Sequence, residues 1–516
     1  MGCRDKGYLA MKMLKRLFLT ILVLAGLLIF TPLLLVQFGP AGWGTTSKLL
    51  VNMVFGYGDT LNASAVKQQL KVADGFQVSL YAKDLGKIRF LKVTDAGDLL
   101  VSRPNTGDVL LLEQDRNSDG VPDGQRILLA GLTRPHGLDI ADGWLYVAES
   151  DGLGKIPFNS ATGTVTGEYQ RIVSGLGDKG NHWTKTVRAS VDGWLYLSSG
   201  STCNVCEEDD PQRASIMRLR SDGSELSVYA SGLRNSVGFD WAPWDNSLYA
   251  TDNGRDLLGD DIPPCELNKI DAGGFYGWPY VNASALDPDF GELNPAVAAK
   301  NIAPSHEFRA HNAPLGIRFL RHSGVAGFER TALVALHGSW NRSVPDGYKV
   351  VSLHWLADGR IVERDFLSGF LQGENLLGRP VDVAEARDGS IYISDDYSGS
   401  IYRVSAGDEK GIGLSAAGLT ASKAPEKESG LAVYSKEQRG SLFARGEVVF
   451  RGNACVACHS ESPDDKSMAA PLVGLERRYS VTELSDFFTA PTPPMPVFPL
   501  SAEDREALAV YLLVRP

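Results

Sequence analysis

DAGDLLVS (95–102), ADGWLYVAES (141–150), VDGWLYLSSG (191–200), WDNSLYATDNG (244–254), ERTALVALHGS (329–339) and RDGSIYISDD (387–396) repeat one design along the chain: a short strand-like run with a Gly- or Asp-containing turn. A second element precedes four of them, in LLAGLTRPHGL (128–138), IVSGLGDKGNHWTKTV (172–187), VYASGLRNSVGF (228–239) and, more loosely, FLSGFLQGENLLGRPVDV (366–383). The units recur about every 50 residues, with a longer step from 244 to 329. Short strands at a fixed period are the mark of a β-propeller, each unit forming one blade. The pattern predicts an all-β, six-bladed propeller over residues 70–405. A β-sandwich would not repeat its turns in this way. The 55 glycines fit many tight turns.

Outside this block the chain changes character. Lys12, Lys15 and Arg16 precede an uncharged run of twenty residues, 17–36. At about 1.5 Å per residue it just crosses a hydrocarbon core of about 30 Å. Basic residues before the run orient the N-terminus to the cytoplasm. Residues 1–40 are therefore expected to be a cytoplasmic stub and single-pass transmembrane anchor in a bacterial inner membrane, with 41–69 a periplasmic connector. A cleaved signal peptide is the rival, against which stand the long apolar run and the lack of a clear cleavage site. Residues 406–436 are small, charged and aperiodic, and predict a linker. The formal charge of −11 argues against nucleic acid as a partner.

Residues 437–516 carry the most specific motif, Cys455-Val456-Ala457-Cys458-His459. Two thiols at this spacing add to the haem vinyl groups, and the adjacent histidine sits under the iron. Met495, in PTPPMPVFPLS, is the candidate sixth ligand. A helix is expected over about 437–452, and Ser501 is placed to cap a last one. This segment resembles a small class I cytochrome c domain, which implies covalent haem c.

Equivalent positions in successive blades lie at equivalent heights around one axis. The stretches after each Gly-Leu marker place Arg134 and His136, His182 and Lys185, Arg234 and Asn235, and Arg379 around one mouth of the channel. Cations and imidazoles gathered there in an acidic protein imply an anionic ligand.

GLRNSVGFDWAPWDNSLYATDNGRDLLGDD, ELNKIDAGGFYGWPY, APLGIRFL, ALHGSWNRSVPDGYKVV and GRPVDVAEARDGSIYISDD make the resemblance specific. The block resembles the soluble-type, pyrroloquinoline quinone (PQQ)-dependent sugar dehydrogenases, in the sorbosone or aldose dehydrogenase branch. That resemblance implies PQQ over the channel mouth, with a histidine taking the sugar hydroxyl proton while hydride passes to the quinone. It puts His182 in the place of the base, and Arg234, Asn235 and Arg379 at the cofactor. It further implies that the Gly254 and Arg255 carbonyls hold a calcium on PQQ. Arg342 falls where relatives carry a lysine. His136 takes a polar cofactor-side position and is a rival base. Guanidinium forks suit a tricarboxylate, carbonyl oxygens suit calcium, and a neutral histidine suits proton removal.

Asp115, Asn117, Asp119 and Asp123, with Gly120, form half of an EF-hand-like loop, but Arg126 stands where the bidentate glutamate belongs. The loop is a candidate structural calcium site or a polar turn. Cys203 and Cys206 lack a following histidine; in an oxidising compartment a disulfide is expected, with zinc the lesser alternative. His306, His311 and His354 are expected to be structural, and His337 could line the cavity. The whole predicts a periplasmic quinohaemoprotein oxidising an aldose or related hydroxy-aldehyde. Its electrons would leave through haem c to a cytochrome, terminal oxidase or quinone pool. Alternatives are a calcium-dependent, lactonase-like hydrolase and a cofactor-less binding propeller. The hydrolase gives the fused cytochrome no role.

Overall fold

The computed structural model describes residues 60–407, 431–453, 480–489 and 498–514, with a few isolated residues between these stretches. The apolar run 17–36, most of the linker, Cys458 and Met495 lie outside the described residues, as does the side chain of His459. Among the described residues no helix is long and apolar enough to cross a membrane. The chain divides into two compact units, Met1–Gly411 and Ile412–Pro516.

The first unit carries six antiparallel sheets, one per repeat, each with four blade strands. The repeated runs are the second strands: Leu99–Arg103, Trp144–Glu149, Leu195–Ser199, Leu248–Asp252, Thr331–Leu336 and Ile391–Asp395. The inner strands are Leu91–Val93, Leu138–Ala141, Lys185–Ala189, Phe239–Trp241, Pro314–Phe319 and Pro380–Glu385. Apolar clusters fill each seam between neighbouring blades, and Leu91, Leu99 and Val101 of the first pack with Tyr392 and Ile401 of the sixth. That last cluster closes the ring. Phe76–Ala82 pairs with Ser400–Ala406 and completes blade six from the N-terminal side. Lys71–Val72 adds a short fifth strand to blade five. The expected six-bladed propeller is the observed fold. The long step from 244 to 329 is an excursion in blade four, with a hairpin (Val281–Asn282, Ala285–Leu286) and a helical turn (Pro295–Ala298).

Every inner strand contributes one charged side chain to a collar at matching positions, and the signs alternate around the axis: Lys92, Asp139, Arg188, Asp240, Arg318, Asp382. Asp139 accepts the Ala189 amide at 2.7 Å, Asp240 that of Phe319 at 2.9 Å, and Asp382 that of Leu91 at 2.9 Å. Each carboxylate thus caps the inner strand of the next blade. Lys92 lies 2.5 Å from Asp139, and Arg318 lies 3.6 Å from Asp240, which Arg321 also grips at 2.9 Å. Arg188 differs: it is buried, and none of its three guanidinium nitrogens has a hydrogen-bond partner. The blades approach closely here. A Cβ on Gly238 would lie 2.2 Å from the Leu315 carbonyl oxygen, so that position admits only glycine.

The second unit is helical. Lys436–Gly452 starts with a capping box from Ser435 and Gln438, and Ala502–Val514 is capped by Ser501, whose hydroxyl accepts the Asp504 amide at 3.1 Å. These two helices cross at Gly446, where a Cβ would stand 2.1 Å from the Ala507 carbonyl oxygen. Tyr511 packs there against Phe443 and Phe450. With Val481–Phe487 they enclose an apolar cluster that includes Leu475, Leu484 and Phe488, against which Cys455 and Leu472 pack.

Candidate active site at the propeller mouth

The site residues sit where the repeat places them, at the ends of inner strands or on the turns that lead into them. His182 precedes the strand Lys185–Ala189. Its Nδ1 lies 2.9 Å from Ser201 Oγ and 3.1 Å from the Ser201 carbonyl oxygen. The Ser201 hydroxyl donates its own hydrogen to the Cys203 carbonyl at 2.7 Å. Both Ser201 oxygens therefore act as acceptors toward His182. Nδ1 must carry the ring hydrogen, which leaves the lone pair on Nε2. Burial lowers the His182 pKa to about 3, with the nearby Arg234 and Arg213 charges adding to the effect. The ring is neutral at physiological pH.

Asn235 adjoins His182: a Cβ on Gly200 would lie 2.5 Å from His182 Cβ and 2.6 Å from Asn235 Oδ1. The buried Asp252 carboxylate accepts the amides of Arg234 at 2.9 Å and Asn235 at 2.5 Å, and so shapes the turn that presents both. Burial, then the charge of Glu266, raises the Asp252 pKa well above the usual carboxylate range. Arg234 is used fully by the protein. It donates to the Asn204 carbonyl (2.9 Å), the Asn253 and Gly254 carbonyls (3.2 and 2.9 Å), Asn204 Oδ1 (2.8 Å) and Asp256 (2.9 Å). Contact with a cofactor carboxylate would require one of these bonds to open. The Gly254 carbonyl can still offer a second lone pair to a cation. The Arg255 side chain turns away, pairing with Asp287 at 2.7 Å and Asp289 at 2.9 Å, and ties down the blade-four excursion.

Across the mouth, Arg379 donates through Nε to the His337 carbonyl at 3.2 Å, and among the described residues neither terminal nitrogen has a hydrogen-bond partner. His337 Nε2 lies 2.9 Å from Asp396, which also takes Arg89 at 2.8 Å. Burial, followed by the Arg379 charge, lowers the His337 pKa to about 3. Asp396 is held well below its usual range by His337 and Arg89, against the opposing effect of burial. His136 is fully buried against Phe90, with ring centroids 4.3 Å apart, and faces Trp183 at 6.0 Å. Its Nδ1 lies 3.2 Å from the Lys185 carbonyl oxygen, and its Nε2 has no partner. Burial drives its pKa well below that of an ordinary histidine. Lys185, bonded only to carbonyl oxygens, is lowered by burial to about 7. Arg134 pairs with Asp178 at 2.8 Å and lies over Trp183.

His182, Asn235, Arg234 and Gly254 are linked through Gly200 and the Arg234–Gly254 bond; hydrogen bonds join Arg89, Asp396, His337 and Arg379, and His136 packs against Phe90 and Trp183. Arg342 stands on another loop, bonded to the Asp260 carbonyl and 3.3 Å from Asp261. Arg89, Asp396 and Asn204 were not singled out in the sequence. Arg89 occupies in KIRFLKV the place that His136 holds in RPHGLDI, three residues before the collar charge, but blade one lacks the Gly-Leu marker. Cys203 and Cys206 form the expected disulfide, and their loop carries both Asn204, which grips Arg234, and the carbonyl that orients Ser201. In the 115–123 loop, Asp115 accepts the Asp119 and Gly120 amides at 3.1 and 3.0 Å and lies 3.4 Å from Arg403. The loop closes on itself through these bonds. His311 donates through Nε2 to the Gly259 carbonyl, His354 packs beside Thr331, and His306 pairs with Glu363.

Donors that fit a polyanionic quinone are the terminal nitrogens of Arg379 and the Asn235 amide, while His136, whose Nδ1 gives its hydrogen to the Lys185 carbonyl, offers only a lone pair at Nε2. Fold and site define a six-bladed propeller with a neutral imidazole and cations at one mouth. The chain belongs to the TrAA12-like family, whose model matches residues 70–263 and 285–407. It is 31% identical over 362 residues to a Borreliella burgdorferi protein, covering 67% of this chain and 93% of that one. It is 27% identical over 413 residues to a PQQ-dependent pyranose dehydrogenase of Coprinopsis cinerea, covering 65% of this chain and 54% of that protein. The chain thus spans about half the length of the Coprinopsis enzyme. A calcium structure of a Trichoderma reesei carbohydrate-active enzyme of family AA12 aligns with TM-score 0.56 and 23% identity, over 68% of this chain and 99% of that one. The holo PQQ domain of the Coprinopsis pyranose dehydrogenase aligns with TM-score 0.55 and 23% identity, over 65% and 97%. At that identity the two structures bear on the fold alone.

Proposed function

We propose that the chain is a PQQ-dependent dehydrogenase of a sugar or related hydroxy-aldehyde. In this reading it is anchored in the inner membrane with its catalytic units in the periplasm, and it passes electrons to its own haem c. One observation carries the catalytic half: His182 is locked as the Nδ1–H tautomer, with the Nε2 lone pair free at the mouth of a propeller whose family includes such enzymes. PQQ, when bound, supplies the two-electron acceptor. Nε2 of His182 takes the proton of the sugar hydroxyl, and Ser201 stabilises the imidazolium through Nδ1. Arg379 and Asn235 would hold the cofactor's carboxylate and carbonyl oxygens, and His136, with a lone pair at Nε2, would accept rather than donate a hydrogen bond there. Calcium at the Gly254 and Arg255 carbonyls would act as a Lewis acid on the quinone oxygen.

The cytochrome reading rests on CxxCH. It is supported by two helices that cross at a glycine and by Cys455 against the apolar cluster they enclose. Cys455 and Cys458 would hold haem c covalently and His459 and Met495 would ligate its iron, and such a group would supply a one-electron acceptor. A periplasmic address agrees with the Cys203–Cys206 disulfide, since such bonds persist in oxidising compartments.

The test is anaerobic. Full-length protein matured with haem, PQQ and calcium is mixed with a panel of aldoses while the haem absorption is followed. Reduction of the haem within turnover time, abolished in His182→Ala but restored by dithionite, is the expected result. If no sugar or aldehyde reduces either the haem or an added dye, the dehydrogenase reading falls.

A further inference from the structure

We infer that Arg213 is a positioning residue for His182, clamping together the two loops that carry the base and its partner Ser201. The chemistry of this inference rests on the dehydrogenase reading; the clamp itself rests on geometry. Arg213 is only 3% exposed. Its Nε donates to the Gly200 carbonyl at 2.6 Å. Nη1 reaches the Gly177 and Lys179 carbonyls at 2.6 and 3.2 Å, and Nη2 those of His182 and Ser201 at 3.1 and 2.9 Å. Every bond goes to a backbone oxygen, three on the 177–182 loop and two on the 200–201 turn. No carboxylate is bonded to the guanidinium.

Only a planar fork with five N–H donors meets five acceptors spread over two segments. A lysine ammonium directs three donors from one point. The 177–182 segment has no strand or helix of its own, and Lys179, Gly180 and Asn181 are exposed. It is tied to the 200–202 turn by this fork and by the amides of Asn181 and His182, which donate to Thr202 and Ser201. Arg213 therefore sets the distance between the imidazole and Ser201, and through it the direction of Nε2. Its charge acts as well: the charged groups that bear on His182 are Arg234 and Arg213, while Glu208, Asp210 and Asp178 surround Arg213 at longer range.

Wild type, Arg213→Lys and Arg213→Gln, each loaded with PQQ and calcium, separate these two roles. The first measurement is amide hydrogen exchange over 177–182 and 200–202. The second is the pH profile of kcat with a dye acceptor. Arg213→Lys keeps the charge and loses the fork. Exchange in both segments should speed up about tenfold or more and kcat should fall about tenfold to a hundredfold, while the acid limb stays in place. Arg213→Gln loses both: the same loosening, with the acid limb moved to higher pH, because a departing cation lets the ring take its proton sooner. Unchanged exchange in both variants overturns the clamp. A fall in kcat with identical acid limbs in Lys and Gln overturns the charge effect on the ring and leaves the clamp as the sole role. If Arg213→Gln does not fold, exchange and kcat of Arg213→Lys decide alone. If wild type oxidises nothing, the dehydrogenase reading fails, and the exchange arm still decides the clamp.

Discussion

At the scale of the residue, the site depends on which atom carries a hydrogen. The serine hydroxyl can donate only once, and that bond goes to Cys203, so the His182 tautomer follows from a count of protons. His182→Gln should keep PQQ affinity near wild type and lower kcat about 10²–10⁴-fold, measured by cofactor titration beside steady-state rates. Arg379→Ala should do the reverse: the protein should need more PQQ to reach full activity, with little loss of rate once saturated, because a charge-assisted contact to an anion is gone. Arg234→Ala, by contrast, should destabilise the fold, since its guanidinium ties the Asn204 loop to the 253–256 segment. The pKa of about 3 has a consequence for stability. The unfolded chain binds a proton near pH 6.5, whereas folded His182 binds it only near 3, so stability falls as pH drops through that window. His182→Gln should flatten this slope in melting curves taken between pH 6.5 and 4. The cations after the Gly-Leu markers were legible in the sequence because the repeat fixes their height. Their partners were not, because hydrogen bonds such as Arg89 to Asp396 join residues at opposite ends of the propeller sequence.

At the scale of the element, the second strand of every blade announced itself. Its turn, its β-branched or aromatic residues and its fixed spacing all agree, and agreement between levels makes a segment readable. Inner strands were harder. Three to six residues long, they are defined by what packs around the axis rather than by local propensity. Phe76–Ala82 reads as an ordinary edge strand, and nothing local says that it completes the last blade. In the second unit, the Ser435 capping box and Ser501 marked two helix starts, whereas the crossing at Gly446 depends on a neighbour distant in sequence. Gly446→Val would push a side chain into the Ala507 carbonyl and Tyr511. Overpacking of this kind typically costs about 1–3 kcal/mol and forces the helices apart. The expected result is reduced covalent haem content in the purified protein, with PQQ-dependent oxidation by an added dye retained by the separately folded propeller. Equal haem content in variant and wild type would show that the crossing is not needed for the haem unit.

At the scale of the whole molecule, the alternating collar of six charges is a property of the closed ring, since each sign faces the opposite sign only when all blades are in place. Its members are not equivalent. Asp240 is surrounded by Arg318 and Arg321, and despite burial these cations lower its pKa to about 2. Its charge therefore stabilises the propeller above the unfolded carboxylate value near 3.8, and that contribution is lost as pH falls toward 2. Asp240→Asn should leave the partly exposed Arg318 and Arg321 guanidinium groups without their buried counter-ion, a loss at or below the ~3–5 kcal/mol typical when one partner of a buried pair is removed. Arg188 makes no hydrogen bond and leaves a buried charge to be solvated by its surroundings, so Arg188→Met, of similar length, should be neutral or raise the melting temperature. Thermal unfolding of the propeller at pH 7 and at pH 3 tests both. At pH 7, Asp240→Asn should melt well below wild type, and Arg188→Met at or above it. At pH 3 the gap between Asp240→Asn and wild type should narrow, because part of the wild-type aspartate's contribution is already lost. If instead Arg188→Met melts as low as Asp240→Asn, Arg188 is bound as tightly into the collar as Arg318, and the six charges act as one indivisible ring.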